Sequence, residues 1–185
     1  MKKNGLLPGG LELGDDFKGP FSACSVGKYI VNLPDEHQVP DLSVIKLVRM
    51  VYIAHGWLLG ATDGARLLVN EKVEARQKGP AFRSLYETTI QYIGRKPVSD
   101  RQRRQKMVEV LAGYRDIEEG AETRLLRHIA KFYGSYDTNT LIERTSLPRS
   151  PWKTALSWGD IIIDNKLIAD YYRRCLAASV KVEAA

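Results

Sequence analysis

The most apolar stretch of the chain lies between residues 43 and 61, and its apolar positions fall on every side of a helical wheel. A helix that is apolar all round is a buried helix, whereas a surface helix keeps one polar face. Lys46, Arg49 and His55 interrupt the stretch, which is also shorter than the roughly 20 apolar residues of a bilayer span. The pattern therefore predicts a central core helix and no membrane span.

Apolar stripes at helical spacing predict seven or eight helices in all, as for Val26, Tyr29, Ile30 and Leu33 at positions i, i+3, i+4 and i+7. Residues 122–133 form another such stripe, with Phe132 expected to face inward, and Ile161 is expected on the inner face of a last helix that starts at Asp160. The segment Ser99–Gln102 has the form of a capping box. The other predicted helix starts are marked by a capping residue or an early proline, at Ser22 or Ser25, Asp41 or Ser43, Pro80, Asp137, Ser150-Pro151 and Asp160.

A small β element is predicted after the central helix. Residues 66–69 and 72–75 flank Asn70-Glu71 and have the composition of two short strands, which favours a hairpin. Gly79-Pro80 then predicts a break, followed by a helix with Pro80 near its first position. The predicted fold class is therefore mainly α: a single compact helical domain around a buried central helix, with one small β-hairpin.

Composition divides the chain into three parts. Residues 1–21 are rich in Gly and Pro and are expected to form a flexible N-terminal arm, residues 22–178 the helical domain, and residues 179–185 a frayed tail. Met1-Lys2-Lys3 is followed by too few apolar residues for a signal peptide. The cysteines, Cys24 and Cys175, have no metal-ligand spacing and are expected to be free, small apolar residues. These features predict a cytoplasmic protein.

No catalytic residue, metal ligand or cofactor site is predicted. His37, His55 and His128 have no second ligand at a metal-binding spacing, and the chain contains neither a phosphate-binding loop nor a nucleophile elbow. His55 is expected to be a hydrogen-bonded structural residue, and Gly56 and Gly60 to allow close helix packing. The chain is predicted to be a binding module, not an enzyme.

The formal net charge is +6, which favours an acidic partner without identifying one. One basic cluster is notable, because only Asp100 opposes it. It has three interpretations, in decreasing order of preference: a hydrated helix face, a docking surface for an acidic protein, and a phosphate-binding surface for nucleic acid. The cluster consists of Arg95, Lys96, Arg101, Arg103, Arg104 and Lys106.

Four segments, taken in order, resemble the sequence pattern of one known family. They are Ser25–Ile30, Lys46–Leu58, Glu74–Pro80 with Leu85-Tyr86, and Leu126–Gly134 followed by Leu141 and Ser150–Trp152. The pattern is similar to that of the Panacea domain family, which includes SocA-like antitoxins and GepA-type phage-associated proteins, over about residues 23–175. The resemblance implies that the fold-defining positions are Lys46, Tyr52, Gly56, Trp57, Gly79, Pro80, Tyr86, Tyr133, Gly134, Pro151 and Trp152.

This chain departs from the family pattern at three positions. Arg76 replaces an aromatic residue, Ala81 follows Gly-Pro in place of Val, and Ser146 stands where a His is usual. If that His has a function in the family, the function is altered in this chain.

The resemblance implies an antitoxin of a toxin–antitoxin system that neutralises a protein toxin by direct binding. The alternatives are a proteolytic adaptor that delivers the toxin to a ClpXP-type protease, as the SocA-like branch implies, and a nucleic-acid-binding regulator that uses the basic cluster at 95–106. Exposed aromatic residues and arginines dominate the binding energy of protein interfaces. The candidate partner-binding residues are accordingly Arg76, Arg101, Arg103, Arg104, Tyr136 and Trp158.

Overall fold

The computed structural model of the chain describes Leu7 and residues 10–93 and 99–183. Within them the chain is mainly helical, with a small antiparallel sheet, so the predicted fold class is confirmed. The strands are β1 (Val73–Arg76), β2 (Gly79–Phe82) and β3 (Ile162–Ile163). The helices are α1 (Ala23–Val31), α2 (Val44–Ala61), α3 (Arg83–Ile93), α4 (Asp100–Leu111), α5 (Ala121–Tyr133), α6 (Thr138–Thr145), α7 (Pro151–Trp158) and α8 (Asn165–Glu183).

Helix α2 is the predicted central helix. The Ser43 hydroxyl accepts a hydrogen bond from the backbone N–H of Lys46 and caps its start, and every residue of α2 except Ile45 is buried. Helices α1, α3, α5, α6 and α8 and strand β2 pack around it. Its length and hydropathy alone would allow a membrane span, but 94% of it is covered by the rest of the fold, as expected for a core helix.

Helix α8 packs closely along α2, and two glycines make this approach possible. A Cβ atom on Gly56 would lie 2.2 Å from the ring of Tyr172, and a Cβ atom on Gly60 would lie 2.7 Å from the Cβ atom of the same tyrosine. The Tyr172 ring also packs edge-on against Trp57, with 5.0 Å between ring centroids. The prediction that Gly56 and Gly60 allow close helix packing is therefore confirmed.

The sheet has the strand order β2-β1-β3, and both pairings are antiparallel. Strands β1 and β2 form a hairpin, but it is not the predicted pairing of 66–69 with 72–75: Val73 lies opposite Phe82 and Arg76 opposite Gly79. Gly79 and Pro80 belong to β2 and do not begin a helix. Of residues 66–69, only Val69 forms a bridge, with Phe21.

The segment before α1 lies against the helical domain. Leu13 and Phe21 are buried in the core. The backbone N–H groups of Lys18 and Gly19 donate to the Glu122 carboxylate at 2.8 and 2.5 Å. These contacts lie within the predicted arm 1–21, so the packed part of the chain begins before residue 22.

Several helix ends follow the local signals in the sequence, among them the caps Ser22 of α1 and Asp137 of α6. Ser99 and Gln102 form the capping box of α4. Ser150 caps α7, and Pro151 occupies its first turn. Gly134 does end α5, but with φ of −64° and not in the left-handed conformation of a typical C′ glycine.

Two predictions of inward-facing residues were wrong. Phe132, on α5, is 41% exposed. Ile161, expected on the inner face of a last helix starting at Asp160, is 74% exposed, because α8 starts only at Asn165. The intervening residues turn back and add β3 to the sheet.

Candidate functional site

The arginines of α4 have three different environments. Arg101 is exposed, and Arg103 forms an ion pair with Asp100 at 2.6 Å. Arg104 turns inward and donates to the backbone carbonyls of Val31, at 2.9 Å, and Val39. Burial lowers the pKa of Arg104. Arg104 therefore holds the end of α1 and the segment that precedes α2, and its role in partner binding stays a prediction.

The remaining part of the basic cluster is divided between described and undescribed residues. Lys106 is half-buried on α4. Arg95 and Lys96 lie outside the residues that the structure describes. The described part of the predicted phosphate-binding surface is thus reduced to Arg101, with Arg103 and Lys106 beside it.

Tyr136 lies between α5 and α6, and its contacts are made within the chain. The guanidinium of Arg144 lies over its ring, 4.4 Å from the centroid, and donates to its hydroxyl at 3.3 Å. Its ring also packs against Tyr133 at 6.0 Å between centroids. Tyr136 is only half-buried, so part of the residue remains accessible.

Arg76 lies at the end of β1, beside the first turn of α3. Its guanidinium packs 4.8 Å from the ring centroid of Tyr86. Its ion pairs with Glu74 and Glu87 are long, at 3.6 and 3.7 Å, and its Nη1 atom is buried without a hydrogen-bond partner. The carbonyl of Arg76 accepts a hydrogen bond of 2.8 Å from Trp152 Nε1, which fixes α7 to the hairpin.

Arg49 is the charged residue that sequence reasoning missed. It is 1% exposed, and its guanidinium donates to the carbonyls of Lys78 and Pro80 in the hairpin. A Cβ atom on Gly79, whose φ is +118°, would lie 2.2 Å from the guanidinium. Burial lowers the pKa of Arg49 to about 10. The sequence did contain a signal for this site: Arg49 lies inside a helix predicted to be buried, and a buried guanidinium requires hydrogen-bond partners.

Arg49 and Arg76 line the same cavity, here called the hairpin pocket. Its volume is about 310 Å³, at the lower end of the range for ligand pockets. Its walls combine apolar and cationic side chains and include no acidic one among the described residues. The lining residues are Ile45, Val48, Arg49, Arg76, Gln77, Lys78, Gly79, Ala81 and Tyr86.

Trp158 belongs to a second feature, here called the apolar patch, which is defined as four exposed apolar residues close together in the sequence: Leu156, Trp158, Ile161 and Ile162. Trp158 is 67% exposed and Ile161 is 74% exposed. Gly159, with φ of +79°, ends α7 in a left-handed turn, and the chain then enters β3. β3 pairs only with β1 among the described strands, so Ile162 lies at one edge of the sheet.

The hairpin pocket and the apolar patch are joined through β1. Glu74 lies opposite Ile162, and the N–H of Ala75 donates to the carbonyl of Ile161 at 2.7 Å. Arg76, at the pocket, is the next residue of the same strand. Two of the predicted partner-binding residues, Arg76 and Trp158, therefore lie on neighbouring parts of the molecule.

The positions of the family resemblance lie in the core or at its edge. Trp57 Nε1 donates to the Tyr133 hydroxyl at 2.9 Å, and the Lys46 ammonium donates to the carbonyl of Pro40 at 2.7 Å. Tyr86, Tyr133 and Trp152 are half-buried. The buried ones are Lys46, Tyr52, Gly56, Trp57, Gly79, Pro80, Gly134 and Pro151.

His55 is buried with a hydrogen bond to each ring nitrogen. Nδ1 accepts from the N–H of Val69 at 3.3 Å, and Nε2 lies 3.2 Å from Asn165 Oδ1. The neutral tautomer with the proton on Nε2 satisfies both contacts. Burial lowers the pKa of His55 to about 4. The predicted structural role is therefore confirmed.

The described residues contain no group of three or more His, Cys, Asp or Glu side chains that could hold a metal ion. Cys24 is buried and Cys175 is half-buried, and the two do not form a disulfide. Ser146, at the position of the usual family His, donates through its hydroxyl to the carbonyl of Ile142 at the end of α6. Comparisons of the chain with protein-family models, with curated proteins and with solved structures gave no match.

Proposed function

We propose that the chain is an antitoxin that acts in the cytoplasm by binding a protein toxin directly. The observation that carries this proposal is the apolar patch. An exposed Trp, with three exposed aliphatic residues within a few positions of it in the sequence, has the composition of an interface centre, where Trp is strongly enriched among energetically dominant residues. The sequence resemblance to the Panacea domain family supplies the class of partner.

A nucleic-acid-binding role has less support. Of the described basic residues on α4, Arg104 binds backbone carbonyls and Arg103 forms an ion pair with Asp100. Phosphate affinity grows with the number of phosphates that free cations neutralise. The proteolytic adaptor remains the second candidate, because it would use the same toxin-binding surface and would differ only in its need for a ClpXP-type protease.

The test is co-expression with the product of the neighbouring gene, with growth and co-purification measured together. Trp158→Ala is expected to weaken the complex about 30-fold or more, as for an interface residue worth about 2 kcal/mol. Phe132→Ala is the matched control, because Phe132 is an exposed aromatic on a different helix. Its complex should be unchanged.

The outcomes separate the mechanisms. Growth rescue with a stable stoichiometric complex supports direct neutralisation. Rescue with protease-dependent loss of the toxin supports the adaptor. The proposal would be contradicted if the product of the neighbouring gene neither inhibits growth nor binds the chain. It would also be contradicted if Trp158→Ala and Phe132→Ala weaken the complex equally.

A further inference from the structure

Arg49 is a buried cation whose hydrogen-bond partners are neutral. Among the described residues no carboxylate lies within ion-pair distance of it, and its two acceptors are the carbonyls of Lys78 and Pro80. Its Nε atom is buried without any partner. Burying a charge is costly unless an opposite charge compensates it, by several kcal/mol per ion. A negative group bound beside Arg49 would therefore offset part of this cost.

Arg76, the second arginine that lines the cavity, also has an unsatisfied donor. Its Nη1 atom has no partner, and its two carboxylates approach only to 3.6 and 3.7 Å. One of these, Glu87, also accepts a shorter hydrogen bond of 2.9 Å from Arg83. Lys78 is exposed and contributes a third positive charge to the pocket wall.

The apolar walls of the pocket limit the kind of anion that fits. Ile45, Val48, Ala81 and the Tyr86 ring line the cavity beside the two guanidinium groups. Guanidinium groups bind carboxylates through charge-assisted hydrogen bonds, and the apolar walls suit a short hydrocarbon stem. A phosphate has further oxygens that apolar walls would leave without donors.

We propose that the hairpin pocket is a carboxylate-binding site, in which Arg49 and Arg76 bind the carboxylate of a short protein segment and the apolar walls hold its stem. The pocket would recognise either an acidic side chain or the chain-terminal carboxylate of the partner protein, and only the identification of the partner as the carrier rests on the proposed function. Gly79 is part of the site, because any side chain there would displace the Arg49 guanidinium.

The test measures binding of small carboxylates by the full chain alone, from the arginine Nε–Hε signals in ¹H–¹⁵N NMR spectra. The probes are N-acetylglutamate α-amide, which carries a side-chain carboxylate, N-acetylalanine, which carries a chain-terminal carboxylate, and inorganic phosphate. We expect at least one carboxylate to shift the Arg49 and Arg76 signals saturably, with a Kd in the millimolar range. The tighter carboxylate identifies the source.

Variants assign the effect to the pocket. Arg76→Gln should weaken carboxylate binding about tenfold or more, since a hydrogen bond to a charged group contributes about 1.5–3 kcal/mol. Arg49→Gln should abolish it, and Arg76→Gln keeps the test decisive where Arg49→Gln fails to fold. Lys166→Gln, which removes an exposed charge on α8, is the matched control and should bind as the wild type does.

Three results would overturn the inference: no saturable shift with either carboxylate, shifts with phosphate alone, or the same affinity in Arg76→Gln as in Lys166→Gln. Because no toxin is present, the outcome is independent of the co-expression experiment. Carboxylate binding by a chain that neutralises no toxin would leave the pocket in place and remove the proposed function.

Discussion

The close contact between α2 and α8 can be tested by the substitution Gly56→Ala. The added Cβ atom would lie 2.2 Å from Cε2 and 2.5 Å from Cδ2 of Tyr172, whereas carbon atoms pack at about 3.5–4.0 Å. The ring cannot move aside easily, because it is 6% exposed and packs edge-on against Trp57 and Tyr52. The two helices must therefore separate.

Two opposing effects decide the sign of the change. Alanine in place of glycine inside a helix stabilises it by about 1 kcal/mol. Overpacking of a tight core typically costs about 1–3 kcal/mol and occasionally more. The added Cβ atom would approach the ring more than about 1 Å closer than carbon atoms normally pack, so Gly56→Ala lies at or beyond the upper end of that range. We expect a net loss of about 2–3 kcal/mol, which lowers Tm by about 4–12 °C in a chain of this size.

The assay is thermal and urea unfolding of Gly56→Ala beside Gly113→Ala. A Cβ atom added to Gly113 would meet no other atom within 4 Å, so alanine there should be neutral or stabilise by up to about 1 kcal/mol. In a Tyr172→Ala background, Gly56→Ala should also cease to destabilise, because the obstructing ring is absent. A Tm of Gly56→Ala at or above that of the wild type would refute the packing described for α2 and α8.

Three further predictions concern single contacts. Burial lowers the pKa of His55 to about 4, so below pH 6.5 the unfolded chain binds more protons than the folded one. The free energy of unfolding should therefore fall by up to about 3 kcal/mol from pH 7 to pH 4. Urea unfolding at several pH values should show a weaker pH dependence for His55→Gln. Trp57→Phe and Tyr133→Phe should each lower the free energy of unfolding by about 1–2 kcal/mol. Because both substitutions remove the same hydrogen bond, the double variant should lose less stability than the sum of the two single losses, as measured by urea unfolding. Ser150→Ala should cost about 1 kcal/mol by removing the cap of α7, whereas Ser157→Ala, at an exposed position, should change Tm little.

Features encoded by neighbouring residues were predictable from the sequence. The central helix follows from an all-round apolar pattern, and the capping box at Ser99 and Gln102 depends on residues three apart. The start of α7 at Ser150-Pro151 is equally local. These signals need no knowledge of the rest of the fold.

The position of β2 could not be predicted in this way. Gly79-Pro80 has the local chemistry of a helix start, but its conformation is set by Arg49, about 30 residues earlier, whose guanidinium occupies the space beside Gly79 and binds the carbonyl of Pro80. The same long-range contact hid the pocket, because its two arginines come from α2 and β1. Ile161 was assigned to a helix because its apolar neighbours do not reveal that β1 lies beside them.

The candidate partner-binding residues were chosen by residue type, and residue type alone does not show whether a side chain points to solvent or to the core. Arg104 and Trp158 met the same criterion, yet the arginine turns toward carbonyls of the core and the tryptophan points to solvent. Exposure depends on the tertiary packing of each helix, which a single sequence does not display.

The pairing of α2 with α8 has a consequence for synthesis of the chain on the ribosome. α2 is apolar on every side, and the helix that packs most closely along it begins roughly 100 residues later. Because translation adds about 5–20 residues per second, α2 is synthesised on the order of 5–20 s before α8. During this interval the apolar surface that α8 later covers is accessible to chaperones and proteases. The cellular yield of the protein should therefore depend on chaperone concentration.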